Sequence, residues 1–187
     1  MINLGVESGA QELISKHRTR SDLEEVARTV HQVHEAGIRV KGLFMMGIPG
    51  ETEDSIARTI AYALRYPFSD VNLTKFTPFP GSPIYRTILE YGEFDEDWEK
   101  MNCANFVFIP RGFTKARLEE LYLRFYRSFY KRPSGLLNFV SMIWKSPESW
   151  RRFMGNAGAF IGVARQMKAR SAAQAGGPRG QGAPTDD

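Results

Sequence analysis

The chain has 187 residues, of which 42% are apolar and 25% charged, with a formal net charge of +4, a composition typical of a folded domain. No apolar stretch reaches the roughly 18 residues of a membrane-spanning helix, and the first residues do not have the pattern expected of a signal peptide. The single cysteine, Cys103, excludes an internal disulfide and favours a cytoplasmic location, and one thiolate cannot by itself bind zinc or an iron–sulfur cluster.

Strands and helices are predicted to alternate through the first half of the chain. Short apolar runs that end in turn residues indicate buried strands, and apolar residues spaced by three and four, such as Val26 and Val30, indicate helices. Ser21 and Thr52 are the expected N-caps, and Ser55 is not expected to complete a capping box with Thr52. The predicted elements are strand 2–6, helix 22–36, strand 39–46, a helix that begins after Thr52 and ends at Pro67, strand 71–76 and helix 84–91.

This alternation predicts right-handed βαβ crossovers and therefore a parallel sheet. In such sheets, ligands bind beyond the carboxyl ends of the strands. Three loops are predicted to lie at that edge, at residues 7–9, 47–50 and 78–81, and each contains glycine, proline or both. The edge that the three loops share is therefore the predicted ligand site.

The second half of the chain is predicted to be helical and basic. Residues 95–110 are expected to be irregular, and Thr114 is expected to cap a helix that ends near Arg132. Further helices are predicted at 136–144 and 147–170, followed by a disordered tail at 171–187. Residues 111–170 hold 13 Lys and Arg against 3 Asp and Glu, a net charge of +10, whereas residues 1–110 hold 11 against 16, a net charge of −5.

Two interpretations of this basic region remain open. The uncharged apolar segment 136–144, flanked by Lys131, Arg132 and Lys145, would suit an interfacial helix in peripheral contact with an anionic membrane. The same pattern is equally typical of a helical cap that packs on the rest of the domain. No nucleic-acid recognition motif accompanies the charge, so nucleic acid is not an expected partner.

Three segments at the predicted strand ends resemble motifs of a known family. They are Gly5–Val6–Glu7–Ser8–Gly9, the run 42–52 with Gly47–Ile48–Pro49–Gly50 at its centre, and the run 75–85 with Pro78–Phe79–Pro80–Gly81 at its centre. In this order and spacing they resemble the fourth, fifth and sixth strands of the radical S-adenosylmethionine (radical SAM) superfamily. Glu7 in the first segment is similar to the branch of that superfamily that carries a cobalamin-binding domain.

The resemblance implies an α/β fold, the C-terminal half of a partial (β/α)6 barrel related to the TIM barrel. It also implies a [4Fe–4S] cluster that cleaves S-adenosylmethionine to a 5′-deoxyadenosyl radical. The cobalamin branch adds methyl transfer or cyclisation, and a lipid-like or tetrapyrrole substrate is expected. On this basis the barrel half is assigned to residues 1–92, the basic helical region to 93–170 and the tail to 171–187.

The resemblance also suggests which residues bind the cofactor. Glu7 is expected to accept hydrogen bonds from ribose hydroxyls, the alternative being a carboxylate that stabilises a helix N-terminus. Lys16 is expected to pair with the carboxylate of the methionine moiety, the alternative being a solvated lysine. The full set of candidate cofactor-binding residues is Glu7, Ser8, Lys16, Met46, Gly47, Ile48 and Thr77.

The apolar candidates have core packing as their alternative role. Met46 and Ile48 are expected either to contact the adenine or to pack in the core, and the same choice applies to Phe76 or Phe79. No catalytic residue and no metal ligand is predicted. His31 and His34 share a helix face without an evident cysteine or carboxylate partner and are interpreted as solvated side chains.

The chain departs from the family pattern in one large respect. The family's three-cysteine loop follows the first strand, whereas this chain starts within what resembles the fourth strand and has one cysteine. It is therefore expected to be the C-terminal part of such an enzyme, inactive alone, with the missing N-terminal half or a split partner chain as its partner. The competing hypothesis is a non-catalytic module that binds a membrane or a protein.

Overall fold

The computed structural model describes residues 1–17 and 22–132, which all belong to one compact unit, Met1–Asn138. The strands are β1 (Ile2–Glu7), β2 (Val40–Met46), β3 (Asp70–Lys75), β4 (Gly92–Phe94) and β5 (Phe108–Pro110). The α-helices are α1 (Gln11–His17), α2 (Leu23–Glu35), α3 (Glu53–Arg65) and α4 (Lys115–Lys131), and two 3-10 helices span Pro83–Glu90 and Trp98–Lys100.

A three-stranded parallel sheet in the order β1-β2-β3 forms the centre of the unit. Ile2 pairs with Val40, and Gly42 pairs with Val71. All three strands run in one direction, so the loops that follow them emerge at one edge. The predicted α/β fold with parallel strands is confirmed, including the shared position of Glu7, Gly47 and Thr77 at the carboxyl ends.

One face of the sheet packs against the helices through an aromatic core. Side chains of β2 alternate between buried and half-buried, which places Phe44 on the helix side. The Phe44 ring meets the edge of Phe68 at 5.7 Å between centroids and that of Phe125 in α4 at 5.4 Å. Each fully buried phenylalanine contributes about 1.5–3 kcal/mol by leaving water, so this contact fixes α4 against the sheet.

Two details of helix capping differ from the prediction. The N-cap of α2 is Asp22, whose carboxylate accepts the Glu24 N–H at 2.9 Å, and the assignment of Ser21 to that position was wrong. In α3, Thr52 is the N-cap as predicted, but Ser55 does complete a capping box. The Ser55 hydroxyl accepts the Thr52 N–H at 2.9 Å, so its oxygen performs the role that Glu or Gln usually fills.

The region 95–110 is more regular than predicted. Strands β4 and β5 form an antiparallel pair, with Phe94 opposite Phe108. Three-residue strands are too short to show alternation in a sequence, which explains why they were missed. The predicted helix after Thr114 is confirmed as α4, and its buried face carries Leu118, Leu121, Phe125 and Phe129.

Helix α1 was also missed, because seven residues make only two turns and show no clear period. The predicted elements at 136–144, 147–170 and 171–187 lie outside the described residues. Within the described ranges, no helix combines the length and the apolar character needed to cross a membrane.

Candidate functional site

A cavity of about 580 Å³ opens at the carboxyl ends of the three parallel strands. Its walls come from the ends of β1 and β2, from α1, from the residue after β3 and from the 3-10 helix Pro83–Glu90. Two charged side chains stand among mainly apolar neighbours. The lining residues are Glu7, Ser8, Leu13, Ile14, Lys16, Met45, Ile48, Phe76, Pro83, Ile84 and Thr87.

Glu7 reaches this cavity through an irregular strand end. The pairing register of β1 on β2 shifts between Gly5 and Glu7, and Glu7 has a φ of 65°. Left-handed backbone at a residue other than glycine costs on the order of 1–3 kcal/mol and is concentrated at functional sites. Among the described lining residues, the strain falls on the one that is acidic, which marks Glu7 as a candidate ligand-binding group.

Ser8 lines the cavity, but its main role is to link the end of β1 to α3 through hydrogen bonds. The Thr59 hydroxyl donates to the Ser55 carbonyl at 2.9 Å, so the Ser8 hydroxyl is left to donate to Thr59 at 3.1 Å. The Ser8 oxygen also accepts the Ala10 N–H at 3.2 Å. Since its donor and an acceptor position are both used within the protein, Ser8 shapes the wall.

The loop after β2 is a tight turn with a buried acid at its end. The Glu51 N–H donates to the Ile48 carbonyl at 2.9 Å, and Gly50 has a φ of 84°. Proline followed by a residue of positive φ is the signature of a type II turn, and glycine adopts that conformation at little cost. The turn presents the Ile48 side chain to the cavity.

The Glu51 carboxyl holds this turn from within. It accepts the Gly47 N–H at 2.5 Å and the Ile48 N–H at 3.3 Å, and only 3% of the residue is exposed. Burial raises the pKa of Glu51 to about 8, against the opposing effect of the two N–H donors. The sequence analysis missed Glu51, although an acid directly after Gly47–Ile48–Pro49–Gly50 was a signal that it could bond to the turn.

Three of the seven candidate residues do not line the cavity. Met46 is 1% exposed and belongs to the core, where the alternation of β2 places it, and Met45 faces the cavity in its stead. The Thr77 hydroxyl is buried and donates to the Lys75 carbonyl at 3.4 Å. A side chain at Gly47 would meet the Phe106 ring at 3.3 Å, so Gly47 allows close packing behind the turn.

Lys16 lies at the end of α1 and does line the cavity. Its Nζ atom is 5.0 Å from the centroid of the Tyr91 ring, a cation–π contact. Of the two phenylalanines proposed for the adenine, Phe76 lines the cavity and Phe79 is 49% exposed. The edge of His31 packs against Tyr66 at 5.7 Å between ring centroids, away from this cavity.

The arrangement suits a ligand with a particular distribution of groups. A carboxylate at the end of β1 can accept from hydroxyl donors, the ammonium of Lys16 can bind an anion, and the apolar walls can enclose a flat ring. Sequence reasoning found both charged groups. It did not assign Leu13 and Ile14 of α1, or the lining residues of the 3-10 helix, to the site, and α1 was not predicted as a helix.

Comparison with known proteins agrees with the motifs. Residues 1–63 match the model of the radical SAM superfamily. The chain is 25% identical over 153 residues to an anaerobic magnesium-protoporphyrin IX monomethyl ester cyclase of Cereibacter sphaeroides, covering 82% of this chain and 24% of that protein. It is 23% identical over 132 residues to a bacteriochlorophyllide d C-12(1)-methyltransferase of Chlorobaculum tepidum, covering 70% of this chain and 29% of that protein.

A shorter match extends to a third kind of enzyme. The chain is 30% identical over 84 residues to a tRNA-2-methylthio-N(6)-dimethylallyladenosine synthase of Ehrlichia ruminantium, covering 44% of this chain and 19% of that protein. The chain therefore spans less than a third of the length of each of these relatives.

Proposed function

Since the chain belongs to the radical SAM superfamily, we propose that the cavity at the carboxyl ends of β1, β2 and β3 binds S-adenosylmethionine. The observation that carries the proposal is Glu7, an acidic residue with left-handed backbone that faces a mainly apolar cavity at the family's motif position.

The lining residues form three groups, and each group contacts a different part of the ligand. The Glu7 carboxylate accepts hydrogen bonds from the ribose hydroxyls, as charged acceptors do strongly. Met45, Ile48 and Phe76 provide apolar surface for the adenine. The Lys16 ammonium pairs with the carboxylate of the methionine part, and Ser8 and Glu51 hold the walls in place.

The residues of this chain do not fit a [4Fe–4S] cluster. Such clusters are held by several cysteine thiolates, whereas the whole sequence has only Cys103. Within residues 1–17 and 22–132, no group of three or more His, Cys, Asp and Glu could hold a metal ion. We therefore assign no reaction step to a cluster in this chain, and we expect the chain alone to be inactive in radical chemistry.

We propose further that this chain acts together with an N-terminal half or a split partner chain that binds the cluster. Methyl transfer or cyclisation on a tetrapyrrole is the proposed reaction class, with cobalamin as a further cofactor. The support is that two relatives are named as a cyclase and a methyltransferase of such pigments. No residue here is assigned to cobalamin or to that substrate.

The ribose contact gives the sharpest test of the proposal. Adenosine and 2′,3′-dideoxyadenosine differ only in the hydroxyls that Glu7 is proposed to bind, and their affinities for the full chain can be compared by calorimetry. Hydrogen bonds to charged groups contribute about 1.5–3 kcal/mol. Glu7→Gln should therefore weaken adenosine binding roughly tenfold or more and leave the weaker dideoxyadenosine binding unchanged.

The matched control is Glu12→Gln. Glu12 pairs with Arg58 on the exposed side of α1 and is not part of the cavity wall. This variant should bind both nucleosides as the unaltered chain does. Equal weakening of the two nucleosides by Glu7→Gln, or the same loss in Glu12→Gln, would contradict the ribose assignment.

A further inference from the structure

Three elements meet around the Lys16 ammonium at the side of the cavity. The residue belongs to α1, and its Nζ atom lies 3.7 Å from where a Cβ at Gly50 would be, beside the turn after β2. The third element is the end of the 3-10 helix Pro83–Glu90, where the Tyr91 ring lies 5.0 Å from Nζ. The Lys16 ammonium thus lies between the turn after β2 and the Tyr91 ring.

The Tyr91 ring is carried on backbone that is held from two sides. The Tyr91 N–H donates to the Ile88 carbonyl at 3.0 Å, and its own carbonyl accepts the Arg111 N–H at 2.9 Å. The next residue, Gly92, packs so closely on β5 that an added Cβ would lie 2.0 Å from the Ile109 oxygen. The backbone that carries the ring is therefore held in place and the ring has only two side-chain torsions, whereas the Lys16 ammonium is on a flexible four-carbon stem.

A fixed aromatic ring beside a flexible ammonium restricts where the charge can be. A lysine side chain has up to about 2 kcal/mol of rotamer entropy to lose when it is held in one place. If contact with the ring already restricts the lysine rotamers, less conformational entropy is lost when an anion binds. The cavity then presents a positioned positive charge at a defined distance from Glu7 at the end of β1.

We propose that Tyr91 is a positioning residue that holds the Lys16 ammonium for the carboxylate of the ligand's amino-acid part. The inference rests on the proposed function of the cavity and adds a residue from outside the three strand-end motifs. Tyr91 acts through Lys16 and through the face of its ring, so its hydroxyl is not required.

The test compares two ligands that differ in the amino-acid part. S-Adenosylhomocysteine has the carboxylate, and 5′-methylthioadenosine has the same nucleoside without it. Binding of both to the full chain is measured by calorimetry for Tyr91→Leu, Tyr91→Phe, Lys16→Met and the Tyr91→Leu/Lys16→Met double variant. Thermal unfolding confirms that each variant is folded, and Tyr91→Met replaces Tyr91→Leu if the latter unfolds.

Tyr91→Leu should raise the Kd of S-adenosylhomocysteine roughly two- to fivefold, the range of an exposed cation–π contact, and leave that of 5′-methylthioadenosine unchanged. Tyr91→Phe, which keeps the ring face, should bind both ligands normally. Lys16→Met should weaken only S-adenosylhomocysteine, and adding Tyr91→Leu to it should have no further effect.

Two results would overturn the inference while the proposed function stands. They are equal weakening of both ligands by Tyr91→Leu, and persistence of its effect in the Lys16→Met background. A third result, no binding of either nucleoside by the unaltered chain, would overturn the proposed function itself and the inference with it.

Discussion

Two acidic residues near the cavity, Glu7 and Glu51, differ in their exposure and in their backbone conformation. Glu7 lies at the cavity wall on strained backbone, whereas Glu51 is 3% exposed and bonded to the turn that carries Ile48. Burial raises the pKa of Glu51 to about 8, so at neutral pH it is a protonated acid that still accepts N–H groups through its carbonyl oxygen. Glu7 lies where a ligand could contact it, and Glu51 holds the turn that forms part of the wall.

The Glu51 carboxyl predicts how stability depends on pH. In the unfolded chain this group loses its proton near its usual pKa of 4.5, whereas in the folded chain it keeps the proton to about pH 8. The folded state therefore binds more protons across this window, and stability falls as the pH rises from 4.5 through 8. We expect the free energy of unfolding to fall by on the order of 2–4 kcal/mol between pH 5 and pH 8.

Urea denaturation of the full chain at several pH values measures this slope. Glu51→Gln is the control, because it keeps a carbonyl oxygen for the Gly47 N–H and cannot ionise. Every other ionisable group is present in both proteins, so the difference between the two slopes isolates Glu51. Parallel slopes would show that Glu51 does not remain protonated in the folded chain.

The sequence did not show which of the two adjacent residues Met45 and Met46 faces the cavity. In β2 the run Leu43–Phe44–Met45–Met46 is apolar throughout, although its side chains alternate between buried and half-buried. Such a run does not reveal which methionine faces the cavity. The charged candidates Glu7 and Lys16 both line the cavity, and their contacts with a ligand stay predictions.

At the scale of elements, α4 is joined to the sheet by an ion pair as well as by the aromatic core. Lys75 at the end of β3 is 7% exposed, and its Nζ atom lies 2.7 Å from Glu119 Oε1 in α4. The same ammonium lies 4.6 Å from the ring centroid of Phe106 and 4.8 Å from that of Tyr122. Glu119 and the two rings together compensate the burial of this charge.

Removing one partner of this pair should cost more than removing both. Glu119→Gln leaves a buried ammonium without its carboxylate, and because Glu119 is 41% exposed on its side chain, we expect a loss of about 1–2 kcal/mol rather than the larger value of a fully buried pair. In a Lys75→Met background, where an apolar chain fills the space between the rings, the same substitution should cost little. Urea denaturation of the four proteins gives the coupling energy.

Glu120→Gln serves as the control for this cycle, since Glu120 pairs with Arg117 on the exposed face of α4. It should leave the unfolding midpoint nearly unchanged in either background. If Glu119→Gln costs the same with lysine and with methionine at position 75, the ion pair does not contribute to joining α4 and β3.

The element predictions succeeded where an element spans several repeats of its own period, about 3.6 residues in a helix and two in a strand. The strands β1, β2 and β3 and the helices α2, α3 and α4 have apolar patterns of six or more residues with recognisable caps or turns, and all six were predicted. Helix α1 and strands β4 and β5 are too short to show a period. Their positions depend on tertiary contacts, such as the bond from the Leu23 N–H to Gln11 Oε1 of α1 at 2.9 Å and that from the Asp95 N–H to the Val107 carbonyl beside β4 and β5 at 2.8 Å.

Taken as a whole, the described part of the chain supplies three parallel strands and the walls of a cavity at their carboxyl ends. It spans less than a third of the length of the relatives described above, so the reaction of the complete protein remains a proposal. The basic charge of residues 111–170 continues beyond the described part of the chain, which ends at 132. Peripheral attachment of that region to an anionic membrane stays a prediction.

The central claim is that the strand-end cavity binds S-adenosylmethionine. Amide hydrogen exchange of the full chain, with and without saturating S-adenosylhomocysteine, tests it most directly. We expect slower exchange in peptides covering 7–16, 45–51 and 76–87, and no change in α2. Unchanged exchange in those three segments, or protection confined to α2, would rule out binding in this cavity.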